Sequence, residues 1–264
     1  MTAEDQTVLH GTADGIARIT LNSPQTANAI APDQRDRIIE LLAHADGDPE
    51  VRVVVLASTG KYFCAGANVG HIGAADKRVG GAMHRIMNGA QRLIAAVLDC
   101  GKPVIAAVQG PAAGLGAHLA FASDLVVAAD NATFIEVFVR RGLVVDAGGA
   151  YLLPRRIGLQ KAKELAFFGD ALDAEEACRL GLVNKVVPAE ELPKAVDELA
   201  RRLAGAPTSA ITLTKKLLNS SLDGDRNAAF LLEGMAQEMQ SHAHDSAEGI
   251  AAFTERRPPR FQGW

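Results

Sequence analysis

The chain reads as an α/β protein on three observations. Runs of Val, Ile, Leu and Ala at 51–57, 103–108 and 125–129 are apolar without alternation, as strands buried on both faces require. Stretches with a helical repeat of apolar residues separate them. Two of the strands run into turns built from Gly and Ala, the residues that let a backbone approach a neighbour closely.

Taken in order, residues 7–22 predict a hairpin, with Ala13-Asp14-Gly15 as its turn and Ile16, Ile19 and Leu21 as apolar contacts. Pro32 and Asp33 open a helix whose buried stripe is Ile38, Ile39, Leu41 and Leu42, and Gly47 ends it. Strand 51–57 leads into a loop ending FCAGAN. A Gly- and Ala-rich region, 70–82, reads as mobile, and a helix then runs to about Leu98. Strand 103–108, a helix from Leu115 and strand 125–129 complete three units in which parallel pairing through crossover helices is expected. Beyond residue 146 the pattern is almost wholly helical, punctuated by Gly158, Gly169, Gly181 and Pro207, with one short strand at 183–187. The expected division is a core over 1–200 and a helical region over 201–264. In the latter, ITLTKKLLN and FLLEGMAQEM form stripes with few partners inside a β/α core, so docking against another subunit is expected.

The bounding properties are those of an ordinary enzyme. With 264 residues the chain can bury a sizeable core as one main domain. A formal net charge of −4 argues against nucleic acid as principal partner, since no basic face dominates. Three cysteines, Cys64, Cys100 and Cys178, show no metal-ligand spacing, so neither a zinc site nor a disulfide framework is expected. Glu4 and Asp5 interrupt any secretory signal, and the apolar stretches are broken before membrane-spanning length. A cytoplasmic protein without metal or membrane partner is the expectation.

The segment KPVIAAVQGPAAGLGAHLAFASDLVVAAD, 102–130, carries the first chemical signal. Its turn, Gly110 to Gly116, opens on a helix whose first N–H groups lack intrahelical partners and lie at the positive dipole end. An oxyanion, such as a developing enolate, suits that position. The bland alternative is that small residues merely let helix and strand pack closely. A second segment, VRVVVLASTGKYFCAGANV at 51–69, repeats the pattern, and Ala65-Gly66-Ala67 leaves the Ala67 N–H unshielded. Two such turns on neighbouring strands can aim two donors at one oxygen.

These residues resemble the crotonase, or enoyl-CoA hydratase/isomerase, superfamily. The resemblance runs from the N-terminal hairpin and PQTANAI (24–30) through FCAGAN and KPVIAAVQG to GLVNKVVP (181–188), and AFTERRPPRF (252–261) is similar to the family's closing motif apart from a second proline. It implies a crotonase-like ββα superhelix core with a C-terminal helical trimerisation region, giving a homotrimer or a dimer of trimers. The substrate it implies is an acyl-CoA thioester, with coenzyme A part of that substrate and no separate cofactor. By motif position the thioester oxygen would lie between the N–H groups of Ala67 and Leu115, with Ala27, Ala65, Asn68, Gly114 and Phe138 contacting substrate.

The family's two hydratase glutamates are absent. Alignment puts His118 at the first position and Phe138 at the second. Syn-addition of water uses both carboxylates to hold and deprotonate one water, so their loss argues against efficient hydration. Asp146, in GLVVDAGG, falls where ring-opened phenylacetyl-CoA isomerases and dienoyl-CoA isomerases place a catalytic aspartate; aromatic acyl-CoA dehalogenases also have one there, as nucleophile. A desolvated Asp146 could shuttle a proton between two carbons, which shifts a double bond. Alternatively, it caps the following helix.

His118 lies three residues beyond Leu115, on the same helix side, as catalytic residue or as pocket wall. Arg140-Arg141, Arg155-Arg156 and Arg256-Arg257 are candidate phosphate contacts or solvated pairs. Cys64 reads as a buried packing residue. The leading expectation is an enoyl-CoA isomerase. Its alternatives are a hydratase using His118, Asp146 or both, and a non-catalytic acyl-CoA-binding protein; a Rossmann enzyme is set aside because no GxGxxG follows the relevant strand.

Overall fold

The computed structural model describes residues 7–68 and 79–264. Glu4, Asp5 and most of the 70–82 region read as mobile lie outside the described residues. The hairpin is β1 (Val8–Ala13) and β2 (Ile16–Leu21), paired antiparallel. Asp14 and Gly15 take positive φ of 52° and 75°, the geometry that matches a tight turn to the strands' twist. Helix α1 (Pro32–Gly47) follows with Ile38, Leu41 and Leu42 buried, and β3 (Val53–Ser58) after it.

The single helix expected up to Leu98 is two, α2 (Gly81–Met87) and α3 (Ala90–Asp99). The break falls at Asn88-Gly89, where a Cβ on Gly89 would strike the Arg85 carbonyl oxygen. Next come β4 (Val104–Val108), the two-residue β5 (Ala112–Ala113), α4 (Leu115–Ala122), β6 (Leu125–Ala129) and β7 (Thr133–Ile135). The chain continues through α5 (Gly149–Phe168, broken at Gly158), β8 (Ala171–Asp173), α6 (Ala174–Arg179), β9 (Lys185–Val187) and α7 (Leu192–Ala204). Helices α8 (Thr208–Ser220), α9 (Arg226–Ser241) and α10 (His244–Glu255) complete the described elements.

The main sheet has the order β1-β2-β3-β4-β6-β9, parallel from β2 onward, as the alternating pattern predicts. Its strands are apolar throughout because both faces are covered. Val54, Leu56, Ala106 and Val126 face α1, α3 and α4, while Val53, Val55, Ile105 and Val127 face Val196 and Ala200 of α7. Each fully buried Val, Leu or Ile among them contributes about 1.5–3 kcal/mol. A second small sheet, β5-β7-β8, was not expected from the pattern. Its strands are too short to show a period of two, yet it ties the turn before α4 to the segment leading to Phe138.

The C-terminal helices are fastened differently. Lys215 of α8 is buried, reaching Asp124 at 2.8 Å and the carbonyls of Val97 and Lys102 at 3.2 and 3.3 Å. Buried Asp245 accepts from the N–H groups of Gln262 and Gly263. Phe230, Leu231, Met235, Met239 and Phe253 stay exposed on α9 and α10. No helix among the described residues is long and apolar enough to cross a membrane.

Candidate active site

The two small-residue turns meet, and the glycines explain how. Phe63 and Cys64 N–H donate to the Pro111 carbonyl at 3.0 and 3.3 Å, and Ala113 N–H donates to the Cys64 carbonyl at 2.9 Å. A Cβ on Gly116 would strike that carbonyl, and one on Gly110 would strike the Lys61 carbonyl. On Gly66 a Cβ would stand 2.8 Å from the Ala113 oxygen and 3.6 Å from the Leu115 nitrogen. The 64–67 backbone therefore lies against the N-terminus of α4 in a way that only glycine permits.

The other side of the 65–68 loop is laid along residues 27–30. Ala65 N–H donates to Ala27, Ile30 N–H to Gly66, and Asn68 N–H to Ile30, at 2.8–2.9 Å. This is a parallel bridge centred on Ala67, so residues 66 and 68 use their groups toward Ile30 while the Ala67 N–H faces away. Neither Ala67 N–H nor Leu115 N–H has a hydrogen-bond partner among the described residues. Asn28 holds the supporting segment in place: its Oδ1 accepts from Ser23 N–H, and its Nδ2 donates to the Thr59 and Tyr62 carbonyls, each at 2.8 Å.

Ala67, Asn68, Gly114, Leu115, Phe138 and Asp146 line one cleft of about 290 Å³. Ala27 and Ala65 are not among its lining residues, nor is His118. Two larger hollows, of about 610 and 640 Å³, lie at α8 and α9 and beside Tyr151 and Asp223, without any of the turn residues. Of the basic pairs only Arg141 borders the cleft, joined by Arg35 of α1 and Arg85 of α2, which the sequence did not single out. Arg140 pairs with Asp170, Arg155 with Asp223 and Arg257 with Glu248, while Arg156 lies near Asp124. Cys64 is fully buried, and burial pushes its thiol up to about 12, in keeping with a packing residue.

Asp146 belongs to a loop held in an uncommon conformation. Ala147 and Gly148 follow it at φ of 45° and 80°, and a left-handed alanine costs about 1 kcal/mol. The cap of α5 is Gly148, with no side chain capping the helix. The Asp146 carboxylate has no hydrogen bond among the described residues, so its side chain is free of the capping role. Burial raises its carboxyl above the ordinary range, and the nearby His118 opposes that rise.

His118 is fully buried, and its Nε2 lies 3.0 and 3.1 Å from the two carboxylate oxygens of Glu136, itself 3 % exposed. Its ring stacks on Phe138 with centroids 5.5 Å apart, and a Cβ on Gly149 would strike the imidazole. Phe138 forms the cleft wall, with its ring next to Gly114. Glu136 escaped the sequence reading. Its signal was an acid inside the apolar run FIEVFV, but its partner stands eighteen residues earlier on another element.

Known proteins carry the same pattern. The profile of the enoyl-CoA hydratase/isomerase family matches residues 11–264. The chain is 37% identical over 258 residues to a probable enoyl-CoA hydratase of Rhodobacter capsulatus, covering 97% of this chain and 98% of that protein. Over 261 residues it is 36% identical to the 1,2-epoxyphenylacetyl-CoA isomerase of Escherichia coli, with the same coverage. The crystal structure of an enoyl-CoA hydratase/isomerase from Cupriavidus metallidurans superposes with a TM-score of 0.91 at 38% identity, covering 98% of this chain and 97% of that one. With its paired glycine turns and parallel sheet, the chain belongs to the enoyl-CoA hydratase/isomerase family of the crotonase superfamily.

Proposed function

We propose that the protein is an enoyl-CoA isomerase that moves a double bond along the acyl chain. The observation that carries this reading is that, among the described residues, one carboxylate, Asp146, lies on the wall of the cleft that also holds the unpartnered N–H groups of Ala67 and Leu115. The two N–H groups would donate to the thioester oxygen as it gains charge. Asp146 takes a proton from one acyl carbon, the dienolate rests against the two donors, and the same carboxyl returns the proton two carbons away. Burial, which raises its carboxyl above the ordinary range, suits a group that must both accept and release a proton. Phe138 is apolar where a hydratase needs its second carboxylate, and Glu136 is turned into the core toward His118, so neither helps to activate a water. The similarity to the 1,2-epoxyphenylacetyl-CoA isomerase supports the isomerase side of the family.

The exposed apolar residues of α9 and α10 support an assembly through the region from 201 onward, as a trimer or a pair of trimers. A cytoplasmic location fits this chemistry.

The test offers purified protein a 3-enoyl-CoA and a 2-enoyl-CoA and follows the absorbance of the conjugated thioester. A rise with the first substrate is expected. Asp146→Asn should lower that turnover by about 10²–10⁴-fold while still binding the coenzyme-A ester. Unchanged turnover in the variant would remove Asp146 as the proton-transfer group, and a fall in absorbance with the 2-enoyl substrate alone would reverse the assignment toward hydration.

A further inference from the structure

Burying a histidine against a carboxylate is costly unless the geometry is good, and the pair behind this cleft packs on the elements that carry Phe138 and Asp146. His118 lies one turn into α4, the helix whose first N–H belongs to Leu115. Its ring packs on Phe138, the cleft wall, and against Gly149, three residues beyond Asp146. Glu136 receives both contacts of Nε2 and sits between the small second sheet and Phe138. The second glycine of the DAGG run is required by this packing, since any side chain there would displace the imidazole.

We propose that His118 and Glu136 are positioning residues: a buried imidazolium–carboxylate pair that fixes the Asp146 loop on the oxyanion helix and presents its positive end to Asp146. The orientation follows from the contacts, because the imidazole and not the carboxylate is the member packed against the Asp146 loop. The effect on acidity has the same sign: burial works against the ionised form of Asp146, and His118 is the charge that works for it. Among the described residues, the other charged groups around the cleft are Arg35 from α1, Arg85 from α2 and Arg141 from the turn after Phe138. All three stay protonated across the working range, so they cannot produce a titration there. The pair touches no substrate. It acts through Asp146, and the inference rests on Asp146 being the proton-transfer group.

Removing either charge releases the other from its ionised form, because a lone buried charge is disfavoured. Glu136→Gln and His118→Gln should therefore move the acid limb of the kcat–pH profile upward. The expected shift is about one pH unit, about a tenfold loss of turnover on the acid side, with KM little changed. Glu136→Asp should retain the wild-type limb. His118→Leu with Glu136→Leu removes both charges into a shape the core can fill, and should keep the fold while showing the same upward shift. A purely structural pair would instead lower thermal stability and leave the limb in place, which overturns the proposal. Asp146→Asn separates the two failures. Full activity in Asp146→Asn removes the Asp146 assignment itself, whereas an inactive Asp146→Asn beside an unshifted Glu136→Gln removes only the pair.

Discussion

Two side-chain pairs in this molecule, Lys215 with Asp124 and His118 with Glu136, are built to different standards. At the foot of α8, Lys215 uses all three ammonium protons, on Asp124, the Val97 carbonyl and the Lys102 carbonyl, and Asp124 also accepts the Val104 N–H at 2.7 Å. Behind the cleft, His118 spends Nε2 on Glu136 and leaves Nδ1 without a hydrogen-bond partner among the described residues. The first pair is saturated by backbone groups and ties a helix to the sheet. The second is under-satisfied and packed on the elements that carry Phe138 and Asp146. A protein tolerates an incompletely satisfied buried group where something other than stability retains it.

The sharpest way to break the comparison is to remove Lys215. Lys215→Met should destabilise the fold by about 3 kcal/mol, at the low end for a broken buried pair because Asp124 keeps 24% of its side chain exposed. Denaturant unfolding measures this, and turnover per folded molecule should stay near wild type. Next in size is Gly116→Ala, which sets a methyl against the Cys64 carbonyl. Overpacking of this kind costs about 1–3 kcal/mol, and here it also pushes apart the turns bearing the Ala67 and Leu115 N–H groups. Turnover should therefore fall more than stability, the reverse of the Lys215 result; equal losses would mean that the turns serve packing alone.

The smallest effect belongs to an exposed pair. Arg257 and the Arg260 N–H hold the Glu248 carboxyl down to about 2, below its unfolded range. A depressed carboxyl stabilises above its unfolded value of about 4.3 and loses that contribution as pH falls toward the folded one. Thermal unfolding of Arg257→Ala should thus differ from wild type near neutrality by a small margin that closes on acidification. A gap that stays constant with pH would assign the effect to packing of the arginine stem.

Legibility from the sequence divides along the same line. The glycine turns could be read because their requirement is local: FCAGAN and GPAAGLG each place a small residue where a backbone must pass. Asp146 was found through resemblance, and its loop turned out to be held by Ala147 and Gly148 at positive φ rather than by a cap. Glu136 was passed over because an acid in an apolar run has meaning only once its partner is known. Arg35 and Arg85 were equally silent, since each sits on a helix whose cleft-facing side depends on how that helix packs. The strands of the small sheet, two or three residues long, carry no period of their own.

What the sequence determined by itself is the parallel β/α core, the hairpin and the two donor-bearing turns, because apolar runs, turn residues and glycines act over a few neighbours. Only the tertiary structure decided that His118 faces Glu136 instead of the cleft, that Phe138 closes the wall, and that Asp146 is, among the described residues, the carboxylate lining the cleft with Ala67 and Leu115. Those outcomes depend on contacts between residues far apart along the chain, where burial and charge act through space and leave no local pattern to read.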